Sequence, residues 1–72
     1  MINFEKYHKY SVKNNNGKIY EFILEKIGKK YLYGYIEYSA FSRDYEIFIK
    51  DSLTSKNGVW KIEEDLGYRT NY

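Results

Sequence analysis

The chain reads as a mainly β protein, a small antiparallel meander or a curled five-stranded sheet of the kind that can close into an SH3-like or OB-like barrel. Three observations predict this. Five short segments rich in Tyr, Ile, Phe, Val and Trp alternate apolar with polar residues, which is the period of a strand. Turn-forming Asn and Gly separate them at hairpin spacing. No proline occurs, and no long stretch keeps a helical period. At 72 residues the chain reads as one small domain, 1–72.

The first strand is predicted over "YHKYSVK", Tyr7 to Lys13, and ends at "NNNGK", where Asn and Gly tolerate positive φ. The second runs from Lys18 to Ile27 and stops at Gly28. The third is "YLYGYIEY", Tyr31 to Tyr38. "SAFSRD", Ser39 to Asp44, reads as a connection, followed by a fourth strand from Tyr45 to Lys50. Asn57-Gly58 carries the strongest hairpin signal, of type I′, and opens a fifth strand over Val59 to Glu64. The tail from Asp65 orders only by docking. The alternative for the fourth element is a short helix near Ser42–Leu53, capped by Ser42, because Tyr45, Phe48, Ile49 and Leu53 fit helical spacing. A short helix over residues 2–8 is a lesser alternative. Against the first, Tyr45, Ile47 and Ile49 alternate with Glu46 and Lys50, with Phe48 the exception.

Consecutive strands with short turns make a meander. If Gly28-Lys29 is a type II′ turn, Tyr33 faces Leu24 and Tyr35 faces Phe22, which puts both tyrosines in the core. A loop one residue longer sets Tyr33 against Glu25 and Tyr35 against Ile23, and every side chain changes face. The first register is the expectation here. Either register leaves apolar groups on both faces, a surface for a partner or a second copy.

Composition removes several classes. There is no Cys and one His, so neither a disulfide framework nor a Cys/His zinc site is available. No cofactor and no metal are expected. Twelve basic and ten acidic residues give a net charge of +2, too balanced for an overall nucleic-acid footprint. Weak, non-specific nucleic-acid binding is the most expected. No apolar leader or membrane span is visible, which points to the cytoplasm of the host cell. Residues with AT-rich codons (Phe, Tyr, Met, Ile, Asn, Lys) supply 39 of the 72 positions, against 8 for Gly, Ala, Arg and Pro, which indicates a low-GC genome.

No catalytic constellation appears. His8 has no nucleophile or carboxylate at a recognisable spacing and reads as a surface residue. Glu63 to Asp65 reads as a solvated strand end, and the glycine segments lack the P-loop pattern. The chain is therefore not expected to be an enzyme. Trp60 reads as either a core residue or an interface anchor. Tyrosine and arginine are enriched at binding hot spots, and the segments that present them define a partner-binding set: Lys29, Lys30, Tyr31, Tyr38, Phe41, Arg43 and Asp44. The functional expectation is a small macromolecule-binding protein. Its most specific form is a phage or mobile-element inhibitor of a host-defence protein, a nuclease or CRISPR effector, working by protein–protein contact. A single-stranded nucleic-acid binder using Tyr/Lys surfaces is one alternative, and a structural or assembly subunit is another. A homodimer is compatible with all three.

Overall fold

The computed structural model describes residues 3–68. They form five strands: β1 (His8–Asn14), β2 (Ile19–Ile27), β3 (Tyr31–Ser39), β4 (Ser42–Ile49) and β5 (Trp60–Tyr68). All pairings are antiparallel, and the sheet order is β4-β3-β2-β1-β5. There is no helix among the described residues: β4 takes up most of the Ser42–Leu53 alternative, and the described part of the residue 2–8 alternative is irregular chain and a turn that lead into β1.

The sheet is curled but not closed, because β4 and β5 are not direct neighbours. At one end a short segment bridges them. Ser55 pairs with Phe48 of β4, and Thr54 pairs with Lys61 of β5. Lys56 N–H donates to the Ile47 carbonyl at 2.8 Å, and Ile62 N–H donates to the Leu53 carbonyl at 2.8 Å. The segment thereby covers part of both edges, which would otherwise offer unpaired backbone to other chains.

One face holds the core. Tyr10, Val12, Phe22, Leu24, Leu32, Ile36, Phe48, Trp60 and Ile62 cluster there, with Phe4, Tyr20, Tyr38 and Leu53 packed around them. Phe22 and Phe48 meet at a centroid distance of 4.6 Å, an aromatic pair that contributes about 0.5–1.5 kcal/mol beyond its buried area. Phe48 is the exception to the apolar–polar alternation of the fourth strand. It is the residue that turns inward, while Tyr45, Ile47 and Ile49 turn out.

The β2–β3 register corrects the expected one. Ile23 pairs with Tyr35 and Leu24 with Gly34, then a bulge at Glu25 brings Lys26 opposite Tyr33. The reversal is centred on Lys29-Lys30, with Gly28 N–H donating to the Tyr31 carbonyl at 2.8 Å. Gly28 does not take the positive φ that a type II′ turn at Gly28-Lys29 requires. The physical reason lies in the core. This register buries Leu32 and Ile36 against Phe22, whereas the expected one would bury the Tyr33 phenol, whose hydroxyl then needs a partner. Gly34 makes the packing feasible. A Cβ there would collide with the Ile23 carbonyl and lie 3.0 Å from the Phe22 ring tip.

Other expectations shift for equally local reasons. "SAFSRD" is not a long connection: Ser39 pairs with Ser42, only Ala40 and Phe41 form the loop, and Arg43 and Asp44 belong to β4. Asn57-Gly58 does reverse the chain, but inside a four-residue loop closed by Ser55 and Trp60. Only Gly58 has positive φ there, so the turn is not type I′. Asn57 Oδ1 accepts from the Ser55 hydroxyl at 2.6 Å and from Val59 N–H at 3.1 Å, which fixes the loop. β5 runs on through Asp65 to Tyr68 along β1. The rest of the predicted tail lies outside the described residues.

His8 is buried, not a surface residue. Its Nδ1 lies 3.0 Å from the Asp65 carboxylate, and the Tyr68 ring stands edge-on at 4.3 Å. These contacts clamp the end of β5 to the start of β1. Trp60 is core, at 6% exposure.

Candidate functional site

Register determines which side chains share the second face, the one opposite the core. Side chains alternate along each strand, and directly opposed residues lie on the same face. Reading across the sheet gives three rows. One row is Arg43, Glu37, Glu21 and Ser11. The next is Tyr45, Tyr35, Ile23 and Lys9, and the third is Ile47, Tyr33 and Lys26. This face is partly self-covering. Ile23 is 1% and Tyr35 7% exposed although neither belongs to the core cluster. The Arg43 guanidinium lies 4.5 Å over the Tyr35 ring, and Lys9 reaches Glu21 at 3.1 Å.

The predicted binding residues do not form one site. Lys29, Lys30 and Tyr31 sit at the β2–β3 turn. Tyr38, Phe41, Arg43 and Asp44 sit at the opposite end of β3, around the β3–β4 tip. At about 3.3 Å per residue, Tyr31 and Tyr38 stand roughly 23 Å apart along β3. The tip group is the more organised. Its loop contains no positive φ, so it is not one of the primed turns, and a register shift at Tyr38 accommodates the twist instead. Phe41 N–H donates to Ser39 Oγ at 3.3 Å. The Phe41 side chain is fully exposed, at 100%.

Beside the tip is a cleft of about 380 Å³ lined by Ile19, Tyr20, Glu21, Glu37, Tyr38, Ser39 and Ala40. Its aromatic wall is anchored to the core. Tyr20 and Tyr38 meet at 5.1 Å, and Tyr20 and Trp60 at 5.7 Å, each pair at 77°. Tyr38, expected at the surface, is thus half-buried, whereas Tyr33, expected in the core, lies on the second face. Sequence alternation supplied the two faces; the bulge at Glu25 exchanged them.

Carboxylates line the region. Glu21 and Glu37 are directly opposed across β2 and β3. Asp44 and Glu46 project from β4 on the core side, opposite Ile36 and Gly34. Burial pushes the Glu46 carboxyl above its ordinary value, the Asn57 side-chain amide opposes that by hydrogen bonding, and the Asp44 charge reinforces it. Burial also raises the Tyr38 phenol, followed by the charge of Asp44, to which its hydroxyl donates. The tip therefore presents one fully exposed aromatic side chain, one arginine over a tyrosine ring, and a cleft with an aromatic wall. His8, Nδ1-bonded to Asp65, is used structurally. Among the described residues, no group of three or more His, Cys, Asp or Glu is placed to hold a metal, and no helix is long and apolar enough to cross a membrane.

The chain matches no protein-family model, no curated protein and no solved structure. The functional reading therefore rests on the geometry of the tip and on the sequence.

Proposed function

We propose that the protein is a non-catalytic binding protein that engages another protein through the β3–β4 tip. In its most specific form it is an inhibitor encoded by a phage or mobile element, which covers a working surface of a host-defence nuclease or CRISPR effector. The observation that carries the binding reading is Phe41. A fully exposed phenylalanine at the apex of a two-residue hairpin leaves a large apolar side chain in water, where folding gains nothing from it. Docked into a partner pocket, the same ring becomes a hot spot. The adjacent cleft, walled by Tyr20 and Tyr38, offers the same partner a second aromatic contact surface. The inhibitor reading draws on small size, low-GC composition and the expected lack of catalytic groups, since an inhibitor of this kind acts by occlusion.

The test is affinity capture from a low-GC bacterial host with tagged protein, with and without nuclease treatment, followed by mass spectrometry. Nuclease-resistant recovery of a defence protein, lost with Phe41→Ala, supports the proposal. With the captured partner purified, Phe41→Ala or Arg43→Ala should weaken binding about 30-fold, corresponding to about 2 kcal/mol. Capture that is indifferent to both substitutions overturns the tip as the binding element. Recovery of proteins encoded by the same genetic element points instead to a structural or assembly role.

A further inference from the structure

At the end of the sheet opposite the tip, the fold gathers lysines that the sequence scatters. Lys29 and Lys30 form the β2–β3 reversal. Lys50 N–H donates to the Lys30 carbonyl at 2.9 Å, which fastens the end of β4 to that turn. Lys56, on the bridging segment, places its Nζ 5.2 Å from the Tyr31 ring centroid. Lys26, turned to the second face by the Glu25 bulge, places its Nζ 5.5 Å from the Tyr33 ring centroid. The two rings are neighbours, with centroids 6.4 Å apart. Two ammonium groups thus lie over the two tyrosines, and three more lysines, Lys29, Lys30 and Lys50, sit on the adjoining turn and strand end, with Glu25 and Asp51 the acidic residues adjacent in sequence. The near-neutral total charge conceals a local bias: five of the ten lysines, Lys26, Lys29, Lys30, Lys50 and Lys56, fall in this region, while Glu21, Glu37 and Asp44 lie toward the tip.

We propose that this end is a binding site for single-stranded nucleic acid, with Lys29, Lys30, Lys50 and Lys56 meeting phosphates and Tyr31 and Tyr33 stacking bases. Alternating cations and aromatic rings match the alternation of phosphate and base in a single strand, and stacking on tyrosine is sequence-tolerant. The lysines that cover the two rings are the groups that move. When a base takes the ring face, the ammonium group shifts to the adjacent phosphate, exchanging a cation–π contact for an ion pair. Binding is weak at physiological salt, because four phosphate contacts supply only non-specific affinity. The site lies at the other end of β3 from the proposed protein-binding tip and does not depend on it.

The experiment uses fluorescein-labelled dT20 and the purified chain, read by anisotropy across about 20–200 mM NaCl. About four contacts to a single strand give a slope of about −3 in log K against log salt. Lys29→Glu/Lys30→Glu should weaken binding at least tenfold at the low end of that range. The control Lys13→Glu/Lys18→Glu carries the same charge change at the β1–β2 turn, where Asn14 N–H bonds the Lys18 carbonyl, and should weaken binding no more than about threefold. Tyr31→Ala should weaken it severalfold while Tyr31→Phe does not, and a duplex of the same length should bind less well. Circular dichroism melts establish that each variant is folded. Equal losses in the two charge-reversal variants overturn the proposal, as does equal binding of duplex. So does an absence of dT20 binding at about 20 mM salt, whether or not anionic lipid vesicles are bound.

Discussion

Gly34 and Glu46 show how single positions constrain this sheet. The strand pair β2–β3 packs closely because Gly34 lacks a side chain where the Ile23 carbonyl and the Phe22 ring approach. Gly34→Ala should therefore cost about 3 kcal/mol, at the upper end of overpacking penalties, read as a fall in denaturation midpoint at unchanged m-value. Glu46 works in the opposite direction. Its carboxyl is pushed above its ordinary value chiefly by burial, so the folded state holds that proton more tightly than the unfolded chain. The resulting stability is fully present below the unfolded-state value and is lost as pH rises through the folded-state value. Glu46→Gln should thus be more stable than the parent at pH 7, with the difference shrinking toward pH 4, as measured by urea unfolding at both. A parent equally stable relative to the variant at both pH values would contradict this.

At the scale of elements, the β3–β4 hairpin separates folding from exposure within a few residues. Phe48 is fully buried, while Phe41 is fully exposed. Phe48→Ala should cost about 3–5 kcal/mol, much of the stability of a domain this small. Phe41→Ala should change stability by no more than about 0.5 kcal/mol. Tyr35→Ala is expected to be costly even though Tyr35 stands outside the core cluster, because it fills the centre of the second face beneath Arg43. Thermal melts of the three variants decide the matter; a large loss from Phe41→Ala would show that the tip is packed. The β1–β5 pair has its own lock. Asp65→Ala removes the partner of His8 Nδ1, so it should speed hydrogen exchange in the second half of β5 more than in β2 or β3.

For the whole molecule, the distinctive feature is a single aromatic-rich sheet with a core on one face and a partly self-covered second face. Its ten tyrosines are consequently not equivalent. Tyr10 is fully buried, with its hydroxyl accepting from Glu5 N–H at 2.9 Å, and burial raises its phenol above the ordinary value. Tyr38 is raised as well, first by burial and then by Asp44. Both protons are held more tightly in the folded state, so stability is lost as pH climbs through these raised values. Spectrophotometric titration should show a late-ionising fraction, from Tyr10 and Tyr38, that appears together with unfolding. A single homogeneous transition that leaves the fold intact would contradict this assignment.

The sequence by itself determined the class of structure. Period-two alternation, β-branched and aromatic composition and Asn/Gly turns specify five strands in a meander, because those preferences are local to a few residues. It also made the Phe41 segment a surface candidate, since a short loop between strands leaves its residues exposed. The tertiary structure decided which face each tyrosine occupies. Register near Gly28 depended on a one-residue bulge, and the balance was tipped by how Leu32, Ile36 and Gly34 pack on Phe22, a contact between strands that no local pattern encodes. For the same reason the extension of β5 to Tyr68, the burial of His8 against Asp65 and the gathering of Lys26, Lys29, Lys30, Lys50 and Lys56 were not legible in the sequence. Each joins residues that are distant along the chain, and only strand order and register bring them together.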